Sequence, residues 1–528
     1  MHEAWKIKFS SSQFNLEKTI FYIAMIKELH SMLKNPLLYE INTRPWLRLF
    51  GAKSTLSDVP GSYWDYLKDQ GIGQVWLMGV WQTAVVDARI RREFPERVLD
   101  YHPDERYPPF EYHIGASPYA IARYQPNENV GTWDDIARIR ETLHTRGMQL
   151  ILDFVPNHFS VESPWIDQFP EYFIQGDEAA IRQNPTEYFR HGNLIFAHGR
   201  DPYFPGWRDT VQVNYFNPDA RQWMEDQLSN LAEVCDGVRC DMAMLLVNRI
   251  FNKTWQHHFS TTHSPSISEF WSTAIQVIKA RHPEFQLMAE VYWDMEWELQ
   301  QQGFDFTYDK RLLDRLVGNE RQGVREHLLA DDDYQSKLVR FLENHDEERA
   351  LSHFGKERSF AAAIATYTLP GMRFFYDGQW EGSLRKVPVQ MMEFPPEIPC
   401  SCGSLMVKDN PASVYCSDTW FFYQKLLYLL RKDVFQGTWS QINLQGNQQD
   451  QFFAWQWEHK SGRTLIVINY DGSPGTAYIH LPDQKGNDPV GLWSASEELA
   501  FQWEGDYLLI PLRPYQYQVF NLSLVTVS

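Results

Sequence analysis

Eight short apolar stretches, each of about five to seven residues and separated by longer amphipathic segments, leave this chain few ways to fold. They run Leu37 to Asn42, Gln74 to Met78, Gln149 to Phe154, Asp236 to Met242, Gln286 to Val291, Phe304 to Tyr308, Leu338 to Glu343 and Met372 to Tyr376. Stretches of that length, rich in Leu, Ile, Val and Phe, read as strands buried on both faces. The segments between them carry helical spacing, as from Tyr63 to Gln70 and from Trp133 to Arg146, the second closed by Gly147. Eight strand and helix units in strict alternation predict a parallel (β/α)8 barrel, in which chemistry belongs at the C-terminal ends of the strands.

Two departures from that period mark additions. Residues 156–216, after the third strand, are rich in aromatic, Pro, Gly and His residues and too long for a plain connection, so they predict a small inserted domain over the barrel mouth. From residue 433 the pattern changes to alternating strands with turn signals, as in Thr464 to Asn469, Tyr507 to Ile510 and Tyr517 to Phe520, which predicts a C-terminal all-β sandwich. The expected division is therefore a helical lead-in over 1–36, the barrel over 37–155 and 217–432, the insert over 156–216 and the sandwich over 433–528. A shorter irregular insert, from Val387 to about Cys416, precedes the last barrel helix, expected over Trp420 to Arg431.

The predicted strand ends carry polar residues where a packed core has no use for them. The sharpest case is Gly237-Val-Arg-Cys-Asp-Met242, where Arg239 and Asp241 lie two apart and so share a face. A guanidinium beside a buried carboxylate favours its ionised form, as a nucleophile requires, although a structural ion pair has the same appearance. Three other ends repeat the theme: Asp153 with Asn157 and His158 in D-F-V-P-N-H, Glu290 in A-E-V, and His345 with Asp346 in E-N-H-D. One such end is unremarkable, but four in one barrel, on the third, fourth, fifth and seventh strands, point to a site.

Bulk properties narrow the ligand. A net charge of −19 argues against nucleic acid and other polyanions, which need a basic surface. Aromatic residues at 15%, with 20 Trp and 26 Tyr, suit neutral ligands with flat faces such as sugars, and serve cores equally well. The five cysteines, at positions 235, 240, 400, 402 and 416, are odd in number and do not form a secreted disulfide framework. Cys400, Cys402 and Cys416 lack the usual C-x-x-C spacing of a metal site, so free thiols are the expectation. Glu17, Lys18, Lys27, Glu28 and Lys34 interrupt the stretch from Phe14 to Leu38, and no run reaches membrane-spanning length, so a cytoplasmic protein without a membrane anchor is expected.

Taken in order, the motifs D-x-x-x-N-H, G-x-R-x-D, a fifth-strand Glu and N-H-D resemble the signature regions of the α-amylase family of retaining glycoside hydrolases. That resemblance implies hydrolysis of α-glucosidic bonds, most simply in α-1,4-glucans, with Asp241 as nucleophile, Glu290 as general acid/base and Asp346 as transition-state stabiliser. It implies that Arg239, His158 and His345 bind the sugar on the non-reducing side of the scissile bond, and that Asp153 braces the site or touches the sugar. Tyr119, in the differently spaced loop I-G-A-S-P-Y, is the candidate for the ring stacked on the cleaved sugar. No cofactor is required; calcium enters through Asn157, a ligand in many relatives, although the second ligand region is altered here. Where relatives continue the nucleophile strand with Lys-His, this chain has Met244 and Leu245. These are read either as an apolar wall on the leaving-group side or as core residues. The same carboxylates also serve transglucosylases and disaccharide-specific members, and a barrel that binds sugar without turnover is the third alternative.

Overall fold

The computed structural model describes residues 34–84, 114–255, 268–394, 417–484, 487–494 and 500–522. Residues 1–33 of the expected lead-in and the cysteines at 400, 402 and 416 lie outside them. Eight parallel strands close on themselves: Leu37–Asn42, Gln74–Met78, Gln149–Phe154, Gly237–Cys240, Gln286–Ala289, Phe306–Tyr308, Leu338–Arg340 and Met372–Tyr376, with the first paired to the last. All eight predicted strands are present, and four are trimmed by one to three residues at an end. The trimmed residues include Asp241 and Glu290, whose N–H groups still bond to the neighbouring strands at the Phe154 and Cys240 carbonyls.

Burial on both faces explains the apolar composition: strand Gln74–Met78 is buried at every position, and Leu37–Asn42 likewise. A helix over Trp133–His144 is started by a capping box in which Thr132 and Asp135 exchange side-chain and backbone bonds, and Gly147 beyond its end takes the left-handed conformation, φ 66°. At the N-terminal floor, the amides of Gln74, Gln149 and Gln286 bond to one another inside the barrel, Gln74 Nε2 lying 3.0 Å from Gln149 Oε1 and 2.6 Å from Gln286 Oε1. Three neutral amides close the floor without burying a charge.

Between the third and fourth barrel strands, short antiparallel ladders join His158–Ser160 to Thr210–Gln212 and Tyr188–His191 to Leu194–Ala197. The barrel resumes at helix Pro218–Val234, where the Asn217 side chain accepts from the Asp219 N–H and Pro218 stands in the first turn. After helix Ser417–Leu430 the chain forms two antiparallel sheets, of five and four strands. Strand Phe452–His459 shows how they are held. Phe452 and Ala454 face the core between the sheets, while Phe453, Trp455 and Trp457 face the barrel. There the Trp455 indole donates to Thr368 Oγ1 at 3.0 Å and that of Trp457 to the Thr368 carbonyl at 2.6 Å. Among the described residues no helix is long and apolar enough to cross a membrane.

Candidate active site

Strand Gly237–Cys240 places Arg239 at the centre of the barrel mouth, where it is 1% exposed. Its guanidinium donates to Asp241 Oδ1 at 2.7 Å, lies 2.8 Å from Glu290 Oε2, and is 3.9 Å from Asp153 Oδ1. The rings of Tyr119, Trp76 and Tyr308 surround it at 5.0, 5.4 and 6.0 Å. One buried cation thus holds carboxylates from two adjacent strands, while aromatic walls fix its plane. A charge desolvated this far needs such partners, and losing one is worth about 3–5 kcal/mol.

Glu290, at the end of strand Gln286–Ala289, receives two further donors. The Met242 N–H reaches Oε2 at 2.6 Å and the Tyr292 hydroxyl reaches Oε1 at 2.9 Å. Met242 is a non-glycine residue in the left-handed region, φ 44°, and that backbone turn aims its N–H at the carboxyl. Burial pushes the Glu290 carboxyl up to about 7; Arg239 opposes this, and Asp241 and Asp346 add to it. Asp241 is moved upward as well, by burial first, with the charge and hydrogen bond of Arg239 opposing. The guanidinium expected to favour the ionised form of Asp241 does so by limiting a rise caused by burial.

Asp346 stands across the mouth with its side chain 46% exposed, beside His345 Nε2 at 3.0 Å. His345 is fully enclosed, with Nδ1 at 2.5 Å from Glu40 Oε1 and Nε2 at 2.8 Å from the Tyr119 hydroxyl, while the Tyr119 ring stacks on it at 5.2 Å. Burial disfavours the imidazolium, but Asp346 and Glu40 outweigh it and push His345 up to about 10. It is a cation at neutral pH and, by its charge and hydrogen bond, holds Asp346 well below the usual carboxylate range. Asp153 accepts from the Gly79 N–H at 2.8 Å, and its buried carboxyl is pushed up to about 7. His158 meets the cluster at the backbone of Tyr119, its ring 5.1 Å from that of Trp207, and burial lowers it to about 4, so it is neutral.

The structure thus brings Asp153, Arg239, Asp241, Glu290, His345, Asp346 and Tyr119 into one cluster. It does not place Met244 and Leu245 on a sugar-facing wall. Both lie in the short 3-10 helix Ala243–Leu246, 0% and 3% exposed, packed into the hydrophobic core. The turn at Met242 ends the strand, so the alternation that directs Arg239 and Asp241 into the mouth cannot be carried forward to them. Three contributors went unread: Glu40, Met242 and Tyr292. Glu40 carried a signal, a lone carboxylate within the buried strand Leu37–Asn42, and so did Tyr292, two residues beyond Glu290.

Asn157 does not offer a calcium site. Its Oδ1 accepts from Gln212 Nε2 at 3.0 Å, and that nitrogen also lies 2.9 Å from the Asn157 carbonyl and 3.1 Å from that of Val213. A neutral donor therefore sits among the oxygens a cation would need. Calcium takes about six to eight oxygens, carboxylates among them, and the oxygens here belong to amides and peptides. Among the described residues no group of three or more His, Cys, Asp or Glu side chains is placed to hold a metal. Dialysis against a chelator is expected to leave the melting temperature and the rate unchanged within error; a fall of several degrees reversed by calcium alone would contradict this account of Gln212.

The profile of the alpha amylase catalytic domain matches residues 61–395 of the chain. Alpha-amylase 3 of Dictyoglomus thermophilum is 23% identical over 394 residues, 69% of this chain and 67% of that protein. The probable oligo-1,6-glucosidase 2 of Bacillus subtilis is 21% identical over 393 residues, 66% of this chain and 65% of its own length. Among solved structures, trehalose-6-phosphate hydrolase of Bacillus licheniformis superimposes with a TM-score of 0.65 at 16% identity, over 93% of this chain and 99% of that one, a likeness of fold. With its closed barrel, its strand-end carboxylates and this match over most of the barrel, the chain belongs to the α-amylase family and is a glycoside hydrolase.

Proposed function

We propose that the chain hydrolyses α-glucosidic bonds of α-1,4-linked glucans or maltooligosaccharides by double displacement, with Asp241 as nucleophile, Glu290 as general acid/base and Asp346 as stabiliser of the oxocarbenium-like state. The observation that carries this reading is the shared guanidinium: Arg239 binds Asp241 at 2.7 Å and Glu290 at 2.8 Å, while Glu290 is pushed up to about 7. Displacement at an anomeric centre needs one carboxylate to attack and one carboxylic acid to protonate the departing oxygen. Asp241 Oδ1 is engaged by Arg239, which leaves Oδ2 for the anomeric carbon. On Glu290, Oε2 is taken by Arg239 and the Met242 N–H, so the proton is carried on Oε1, which also accepts from the Tyr292 hydroxyl. His345, held as a cation between Glu40 and Asp346, fixes Asp346 as an anion facing the positive charge that develops on the sugar. The alternative members, transglucosylases and disaccharide-specific hydrolases, share this chemistry and differ in the acceptor.

Two measurements test the mechanism. Because two inversions restore configuration, proton NMR in the first minutes of maltotriose hydrolysis is expected to show the α-anomer; a β-anomer first would require a water between the carboxylates and would refute Asp241 as nucleophile. Adding glucose as acceptor and following product length separates hydrolysis from transfer.

The second is a pH profile. Activity needs Glu290 protonated, so kcat/KM is expected to fall as pH rises through about 7. A hydroxyl donating to a carboxylate stabilises its ionised form, so Tyr292→Phe is expected to move that alkaline limb upward by about one pH unit. An unmoved limb would show that Tyr292 does not act on Glu290.

A further inference from the structure

Two loops meet at the rim of the barrel mouth, and one buried cation holds them together. Arg44, in the short helix Thr43–Leu47 that follows the first strand, is 2% exposed. Its guanidinium donates from Nη1 to the Ala116 carbonyl at 2.8 Å and from Nη2 to the Val389 carbonyl at 2.9 Å. Among the described residues it has no carboxylate partner, so a desolvated charge is satisfied by backbone oxygens alone. A planar fork can span both loops at once, which a single ammonium does poorly. Between the same loops Ile114 and Met391 form an antiparallel bridge, and the Gly115 N–H donates to the Gln390 carbonyl at 2.7 Å. A Cβ on Gly115 would stand 2.5 Å from Met392 Sδ and 3.3 Å from Arg44 Nη1, so the loops meet there without a gap.

Both loops reach the site. On the first, Tyr119 stacks on His345 and bonds to it. On the second, the Lys386 ammonium donates to the Asp346 carbonyl, and the buried Arg349 donates to the Arg385 carbonyl at 3.2 Å. The joined loops therefore flank the side of the mouth that carries His345 and Asp346. The acid, Glu290, ends the fifth strand, four strands from the first in either direction round the closed barrel. Arg44 follows the first strand, so the joined loops stand across the mouth from the departing group. There a longer chain would have to run on past the sugar being cleaved.

We propose that these joined loops close the non-reducing side of the site, so that the enzyme admits only the terminal glucose of an α-1,4-linked chain and works inward from that end. The choice of sugar rests on the function proposed above. The test compares maltoheptaose with the same chain carrying a 4,6-O-ethylidene group on its non-reducing terminal glucose, and reads the rate and the first product. Wild-type protein is expected to release glucose first from the free chain and to hydrolyse the blocked chain at least about 100-fold more slowly, since a blocked end does not fit a closed pocket. Arg44→Met keeps the length of the side chain and removes both donors, and is expected to raise the blocked-to-free rate ratio at least about tenfold. Arg44→Lys, which can hold one carbonyl, is expected to fall between. The wild-type comparison needs no variant, so the test survives one that does not fold. Wild-type rates on the two chains within about threefold of each other, maltose or a longer sugar as the first product, or a ratio unchanged in folded Arg44→Met protein would overturn the proposal. Failure of the functional reading looks different. If neither chain is turned over, while calorimetry on the Asp241→Asn protein still finds the blocked chain bound at least about tenfold more weakly, the reaction is overturned and the closed side stands.

Discussion

Asp241→Asn is expected to lower kcat on maltooligosaccharides by about 10⁴- to 10⁶-fold, the range in which loss of a covalent nucleophile falls, with the fold retained. Asparagine keeps the volume of the side chain and one oxygen to accept from Arg239, so the buried guanidinium is not orphaned. Alanine would be a poorer test, since an unpaired buried charge costs about 3–5 kcal/mol and confounds loss of chemistry with loss of structure. The measurement is kcat together with the melting temperature. Residual activity at a tenth of wild type, in a protein that melts within a few degrees of it, would sink Asp241 as nucleophile.

The barrel was legible because its two signals agree: strands buried on both faces lose polar residues, and the segments between them keep helical spacing. Asp153, Arg239, Glu290 and Asp346 were legible for the complementary reason, as polar side chains at the ends of apolar runs. Glu40 was not placed, since its partner His345 lies 305 positions away, and sequence spacing carries no information on such a pair. Met244 and Leu245 were read from the resemblance as either a wall or core residues, and their burial in the short helix after Met242 favours the core reading. A left-handed methionine has no composition signal, because the surroundings impose that conformation on a residue type that does not prefer it. Asn157 failed differently: the residue matches, but Gln212, across an antiparallel pair of short strands, decides what its oxygen binds.

Two of the unread contributors, Met242 and Tyr292, share a cause that bears on function. What tunes a strand-end carboxylate here is supplied by the residues just past the strand, where period-two reasoning stops. Met242 follows Asp241 and binds Glu290; Tyr292 follows Glu290 by two and binds it from the other side. Trp293, which follows, is exposed. A single turn after the fifth strand thus carries a donor to the acid and, at the next position, an exposed tryptophan.

Glu290→Gln is the second large effect, and its size is expected to depend on the leaving group. The amide keeps an oxygen to accept from the Met242 N–H but has no proton to give, and general acid catalysis contributes about 10²- to 10⁴-fold. On maltotriose, whose departing sugar is a poor leaving group, kcat/KM should fall by that factor. On α-glucosyl fluoride, where fluoride departs without a proton, formation of the glycosyl-enzyme should fall by less than about tenfold. The alkaline limb near pH 7 should also vanish from the fluoride reaction of the variant, because the group pushed up to about 7 is no longer there to titrate. Arg239 retains Asp241 as its partner, so the site stays charge-compensated and any loss reads on chemistry. Equal losses on both substrates, or an alkaline limb that persists in the variant, would assign the proton donor to another residue; Asp153, also pushed up to about 7, would be the first to examine.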